Sequence, residues 1–138
     1  MRTLASILMA AAMLTAAPAH AQEEQQKLSI ELNGVAAVEN GCRLTFVASN
    51  TLKQDITKAA YEFAIFNSKG LVERLSVLDF QDLPAGRTKV RQFDIGGIAC
   101  ENLSRILVNE AKSCEGASAD VCLGQLEASS KADIDFGT

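Results

Sequence analysis

The sequence has no tryptophan, and its only histidine (His20) and all three methionines (Met1, Met9, Met13) fall within the first 20 residues. Those residues read as a leader. The stretch "MRTLASILMAAAMLTAAPAHAQ" carries one basic residue, Arg2, then an apolar run from Leu4 to Ala17, then the small-residue pattern Ala19-His20-Ala21. Charge, apolar stretch and A-x-A in that order predict a Sec-type secretory signal peptide over residues 1–21, cleaved after Ala21. An apolar run of about 14 residues falls short of the roughly 20 that cross a bilayer, so no membrane span is expected in the mature chain. With one arginine there is no twin-arginine signal, and Gln22 after the cut leaves no cysteine for a lipid anchor. The expected location is therefore periplasmic or secreted.

Removing 21 of 138 residues leaves 117 with no histidine, methionine or tryptophan. Each absence excludes a class of chemistry. Without histidine, the usual general base of Ser/His/Asp and Cys/His machinery is missing, and neither G-x-S-x-G nor S-x-x-K replaces it. Without histidine or methionine there are no soft partner ligands for copper(I), and no closely spaced cysteine pair suits zinc. One tyrosine and no tryptophan make poor platforms for a sugar cleft, so Asp79 and Asp82 read as a solvated acidic turn. Asp133 and Asp135 lack the remaining oxygen ligands of a calcium loop. Twelve basic against 17 acidic residues leave the mature chain at −5, which argues against nucleic acid as a partner. No catalytic residue, metal or cofactor is expected.

Four cysteines are present: Cys42, Cys100, Cys114 and Cys122. An even count in an exported chain reads first as disulfides, with three possible pairings. Seven residues separate Cys114 from Cys122, too many for the two-residue spacing of a thioredoxin-type redox pair.

Past the leader, residues 22–27 ("QEEQQK") contain nothing apolar and read as a flexible, solvated lead-in. No repeat, low-complexity tract or proline-rich linker follows, so residues 28–138 are expected to form a single domain. Its segments are short, rich in β-branched and aromatic residues, and punctuated by turns. "LSIELNGVAAV" alternates with Leu28, Ile30 and Leu32 on one face. "CRLTFVASN" sets Leu44, Phe46 and Ala48 against Arg43, Thr45 and Ser49. "AYEFAIF" groups Tyr61, Phe63 and Ile65, and Asn67-Ser68-Lys69-Gly70 supplies a hairpin turn into "LVERLSVLDF". Pro84-Ala85-Gly86 reverses the chain before "TKVRQFDI". Residues 103–113 suit either a helix or a strand buried on both faces, and the short apolar run among strands favours strand. "LGQLEASSKADIDF" is expected as a weak terminal strand, with Ile134 and Phe136 on one face.

About seven such strands predict an all-β protein: an immunoglobulin-like antiparallel β-sandwich. That order also favours one cysteine pairing. The second and sixth strands run the same way in facing sheets, which brings Cys42 and Cys100 to one end. Cys114 would end the sixth strand and Cys122 begin the seventh, closing the hairpin between them.

The run "CRLTFVASNTLKQDITKAAYEFAIFNSKG", followed by "LPAGRTKVRQFDI", resembles the pattern of small exported bacterial immunoglobulin-like modules of the FxLYD type. In these, a strand ending in Asn leads through a short loop to a strand ending in FN-x-x-G, and a Pro-x-Gly turn precedes a later strand. The likeness spans about Leu28 to Leu107. It implies an accessory or binding domain without chemistry of its own.

One surface feature stands out. Arg87, Lys89 and Arg91 alternate at period two and share a face, a positive stripe on an acidic chain that can hold a partner's acidic edge. A charged strand face that blocks edge-to-edge aggregation is the plainer reading. Phe93 and Ile95 continue the same parity, so either a bulge switches faces or the stripe runs into an apolar patch. Taken together, the residues point to a non-enzymatic module that contacts another envelope protein. A small hydrolase or inhibitor, or a thiol-redox factor using Cys114 and Cys122, are the alternatives.

Overall fold

A computed structural model of the chain describes residues 17–19 and 25–138. The leader and its cleavage point thus lie outside the described residues, apart from 17–19, and so do residues 22–24 of the lead-in. The elements in chain order are β1 (Leu28–Val38), β2 (Gly41–Asn50), β3 (Lys58–Asn67), β4 (Val72–Asp79) and β5 (Arg87–Gly96). A 3-10 turn (Cys100–Asn102), β6 (Leu103–Glu115), a one-turn helix α1 (Ala119–Cys122), β7 (Leu126–Ser130) and β8 (Asp135–Gly137) complete the chain. They build two four-stranded sheets, β5-β2-β1-β7 and β4-β3-β6-β8, packed as an immunoglobulin-like sandwich.

Alternation in the sequence becomes alternation in burial. Along β2, Cys42, Leu44, Phe46 and Ala48 are fully buried while Arg43, Thr45, Val47 and Ser49 face outward. β1 buries Leu28, Ile30 and Leu32 from the same sheet, and β3 answers from the opposite one with Tyr61, Phe63 and Ile65. Between the sheets the aromatic rings cluster on Phe46. Its centroid lies 5.7 Å from Phe63, 5.4 Å from Phe80 and 5.3 Å from Phe136, all at inclined angles that suit ring quadrupoles. Residues 103–113 are a strand, as the short apolar run favours. β6 pairs with β3 along its length and buries Leu103, Ile106 and Val108.

The turns follow their residue chemistry. At the β3–β4 hairpin the Asn67 carboxamide oxygen accepts from the backbone of Lys69 (3.0 Å) and Leu71 (3.1 Å), and Gly70 takes φ 75°. Gly86 sits at φ 70° directly before β5, a conformation that favours glycine. A buried asparagine ties two loops together. Asn50 is 1% exposed and donates to the carbonyls of Leu83 (2.8 Å) and Gln54 (3.0 Å) while accepting from Leu52 N–H (3.0 Å).

Three details differ from the sequence expectation. The expected hairpin between the sixth and seventh strands is instead a crossover between sheets. β6 belongs to one sheet and β7 to the other, and Cys122 ends α1 before β7 begins. The expected single terminal strand is two, one in each sheet, split by bends at residues 131–134. Both pair in parallel, β7 with β1 and β8 with β6, so the sandwich is antiparallel except along these two seams. The lead-in is also stitched at its end. Thr51 N–H donates to the Lys27 carbonyl (2.9 Å) and the Lys27 ammonium meets Glu127 (2.8 Å).

Candidate functional site

All four cysteines are in disulfides, in the pairing that the strand order favours: Cys42 with Cys100 and Cys114 with Cys122. The first joins the start of β2 to the turn before β6, across the two sheets at one end. The second staples α1 to the end of β6. Next to it, the Tyr61 hydroxyl donates to the Cys122 carbonyl at 2.9 Å, inside the core. Burial pushes the Tyr61 phenol well above its ordinary pKa, because the phenolate would lose its hydration there.

The basic stripe lies on β5, an edge strand of its sheet. β5 pairs with β2 in unbroken register from Gly41↔Gly96 to Asn50↔Arg87, so no bulge switches its faces. The stripe runs into the apolar interior: Ile95 is buried and Phe93 half-buried, both within the core. Arg87, Lys89 and Arg91 therefore line the inner side of an open edge. Arg91 reaches across to the segment that connects β4 to β5. Its Nε donates to the Phe80 carbonyl (2.7 Å), and one Nη to the carbonyl (3.0 Å) and carboxylate (3.4 Å) of Asp82. Lys89 Nζ stands 4.0 Å from the same carboxylate, and Arg87 is exposed.

Opposite β5, across this open flank, runs β4, an edge strand of the other sheet. Arg74 spans the gap by donating to the carbonyl of Gly96 at the end of β5. Along this flank Lys89 and Arg91 share the carboxylate of Asp82, while Arg74 stands at the other end, against Gly96.

β4 also carries a feature that sequence reading passed over. Leu71, Val72, Leu75 and Val77 are each more than half exposed. Leu75 stands beside Ala64, which stands beside Leu107, forming an apolar row across β4, β3 and β6 on the outer face. Val72 lies opposite Phe66, over whose ring the Arg105 guanidinium sits at 5.4 Å. On the other side, Lys112 bridges Glu110 (2.7 Å) and Glu62 (3.5 Å), and these carboxylates, Glu110 foremost, raise its ammonium pKa. The band is therefore apolar in the middle and charged at its rims. A signal was available, since Leu71, Leu75 and Val77 share one parity, but Glu73 and Asp79 share it too and mask the row.

The outer face of the other sheet pairs an exposed Val90 beside Val47 with a charged couple. Arg43 grips Asp94 through two hydrogen bonds of 2.7 and 2.9 Å, which hold that carboxyl below the usual carboxylate range. Two shallow clefts of about 320 and 510 Å³ open near the Cys42–Cys100 end, beside Asn67 and Glu73 and beside Asn33 and Asp133 respectively. Among the described residues no three His, Cys, Asp or Glu side chains come together as a metal cage. Asp79 accepts from Gln81 N–H at 2.8 Å, and Asp133 and Asp135 are exposed.

No family's sequence model matches the chain, and no curated protein sequence matches it. The chain is similar in fold to IrmA from Escherichia coli. That solved structure aligns with a TM-score of 0.61, covering 75% of this chain and 92% of IrmA at 14% identity. At this identity the likeness to IrmA carries the sandwich architecture and nothing of the surface. The two disulfides are bonds of the kind that oxidising, extracytoplasmic compartments favour. Among the described residues no helix is long and apolar enough to cross a membrane.

Proposed function

We propose that this chain is a non-enzymatic accessory module, exported by its Sec-type leader to the periplasm or beyond, that acts by binding another envelope protein. The observation that carries the reading is the apolar band on the β4 face. Leu71, Val72, Leu75 and Val77 are 54–61% exposed on one strand and its approach, and they adjoin Ala64, Phe66 and Leu107. Contiguous apolar surface rimmed by charge is the usual mark of a protein-binding face, because its burial is what drives association. Two disulfides suit a module that keeps its shape outside the cytoplasm. The resemblance of Leu28 to Leu107 to FxLYD-type modules supports the same accessory role.

The test is crosslinking in the intact envelope, followed by mass spectrometry of the captured adduct. A reproducible adduct with one envelope protein, diminished by a lysine at Leu75, is the expected result. No adduct above an unrelated exported sandwich used as control would overturn it.

A further inference from the structure

We propose that the outer face of the β4-β3-β6 layer binds a second copy of this chain, face to face, about a two-fold axis that runs along the row Leu75, Ala64 and Leu107. The inference goes beyond the protein-binding reading above. The two share a surface, and a weak self-association covers the band until another protein takes it.

The first observation is how the face is arranged about that row. Leu75, Ala64 and Leu107 stand side by side on β4, β3 and β6. One row toward the β3–β4 hairpin lie Val72, Phe66 and Arg105, and one row the other way lie Val77, Glu62 and Glu110. A half-turn about the central row lays each strand over its own counterpart and exchanges the two outer rows, in the aligned manner of stacked sheets. Leu75 then meets Leu75, Leu107 meets Leu107, Val72 meets Val77, and Arg105 meets Glu110. The least favourable pair sets Phe66 over Glu62, whose carboxylate stays held by the Asn109 carboxamide (2.8 Å) and Lys112 (3.5 Å).

The second observation is charge. Arg105 makes no ion pair among the described residues: its guanidinium lies over the Phe66 ring, and none joins it to Asp135, its neighbour in register on β8. Across the central row, Glu62 and Glu110 share the one ammonium of Lys112, so one negative charge there is unmatched. The face thus carries an unmatched charge of each sign on the same strand, β6, one row to either side of Leu107, because a register shift absorbs the extra residue before Glu110. A two-fold contact demands a surface that is its own complement, and this one is. An unrelated partner requires complementarity but not this symmetry.

The third observation is what the other surfaces offer. The free edge of β5 is the longest, at 10 residues against 8, 5 and 3 for β4, β7 and β8, but it points Arg87, Lys89 and Arg91 inward, a device that guards edge strands. On the outer face of its sheet, Val90 and Val47 lie between the polar pairs Ser49–Thr88 and Thr45–Gln92. The β4-β3-β6 face alone combines an apolar centre with opposed charged rims. Strand and row spacings make it roughly 300–500 Å² per copy, short of the ~800 Å² of a standard interface, so the dimer is expected to dissociate at roughly tens to hundreds of micromolar.

Sedimentation velocity on the disulfide-intact chain, over a concentration series that brackets that range, provides the test. The parent should pass from monomer to dimer. Leu75→Lys sets two ammonium groups against each other on the axis and should abolish the dimer. Arg105→Glu or Glu110→Arg alone should weaken it on the order of tenfold, since a two-fold interface counts each change twice. The two combined restore opposite charges across the axis at the parent's net charge, and should recover most of that loss. Val90→Lys, an equally exposed position on the other sheet, should change nothing. All four side chains are exposed, so the substitutions leave the core intact. A parent that stays monomeric throughout, a dimer that survives Leu75→Lys, or a double charge reversal no better than the single ones would overturn the proposal. Envelope crosslinking keeps the two ideas apart: a foreign protein captured by a parent chain that never dimerises removes the self-association and leaves protein binding standing.

Discussion

Replacing Cys42 and Cys100 by alanine, and separately Cys114 and Cys122, sets two loops of very different size against each other. The bonds close sequence separations of 58 and 8 residues. Restricting the unfolded chain scales with the logarithm of loop length, which works out to about 4.2 kcal/mol for the long loop and about 2.6 kcal/mol for the short one. Local packing losses are comparable, because each bond has one fully buried cysteine, Cys42 in the first and Cys122 in the second. The Tyr61 hydrogen bond reaches a backbone carbonyl and survives Cys122→Ala. For a domain of this size a loss of 1 kcal/mol lowers the melting temperature by about 4 °C. The long-loop variant should therefore melt about 17 °C below the parent and the short-loop variant about 10 °C below it. Circular dichroism melts of the two double-alanine variants, at one protein concentration and with no free thiols to reshuffle, measure both. If the short-loop variant loses as much as or more than the long-loop one, chain entropy is not what these bonds contribute.

Three further outcomes follow from the interior. Phe46→Ala removes the ring at the centre of the aromatic cluster and should cost about 3–5 kcal/mol in urea unfolding, with little change in the denaturant slope. Asn50→Ala removes all three of its loop hydrogen bonds, though the Leu83 carbonyl keeps its bond from Ile56 N–H, and should cost about 1–3 kcal/mol by the same assay, whereas alanine at exposed Glu127 should be nearly silent. Tyr61 is held protonated in the fold, so the unfolded chain gives up its phenolic proton first as pH rises. Stability from this group is intact below the unfolded pKa of about 10 and declines above it. An alkaline titration should show tyrosinate absorbance rising together with the loss of β-sheet signal, and Tyr61→Phe should flatten the alkaline fall in stability.

Much of the sandwich was legible because burial in a sheet has period two. β2 writes that period without interruption, and Asn67 to Gly70 and Pro84 to Gly86 mark turns by the φ values they supply or tolerate. The cysteine pairing followed from strand order, since Cys42 and Cys100 only meet if β2 and β6 start at the same end. The residues after Cys114 were harder. Nothing in "LEASSKADIDF" marks the change of sheet, because both sheets offer the same apolar interior to Ala128, Ile134 and Phe136. The hairpin expected between Cys114 and Cys122 failed for the same reason: a short disulfide loop constrains distance and not which sheet receives the next strand. The stripe on β5 was visible as alternation, but its parity with Phe93 and Ile95 was ambiguous until the register with β2 excluded a bulge. The apolar row on β4 emerges only when Leu75, Ala64 and Leu107 are set side by side, and they lie on three strands.

The parallel seams bear on the order of assembly. β7 docks against β1, with Leu126 beside Leu28, and β8 docks against β6, so the closing segment adds one strand to each layer. Neither layer has its full complement of strands until that segment arrives, and a chain emerging from its amino end must hold an incomplete shell until then. Such a protein is expected to acquire its shape only after the last strands have followed, so the sulfur bond at Cys122, just ahead of them, closes late.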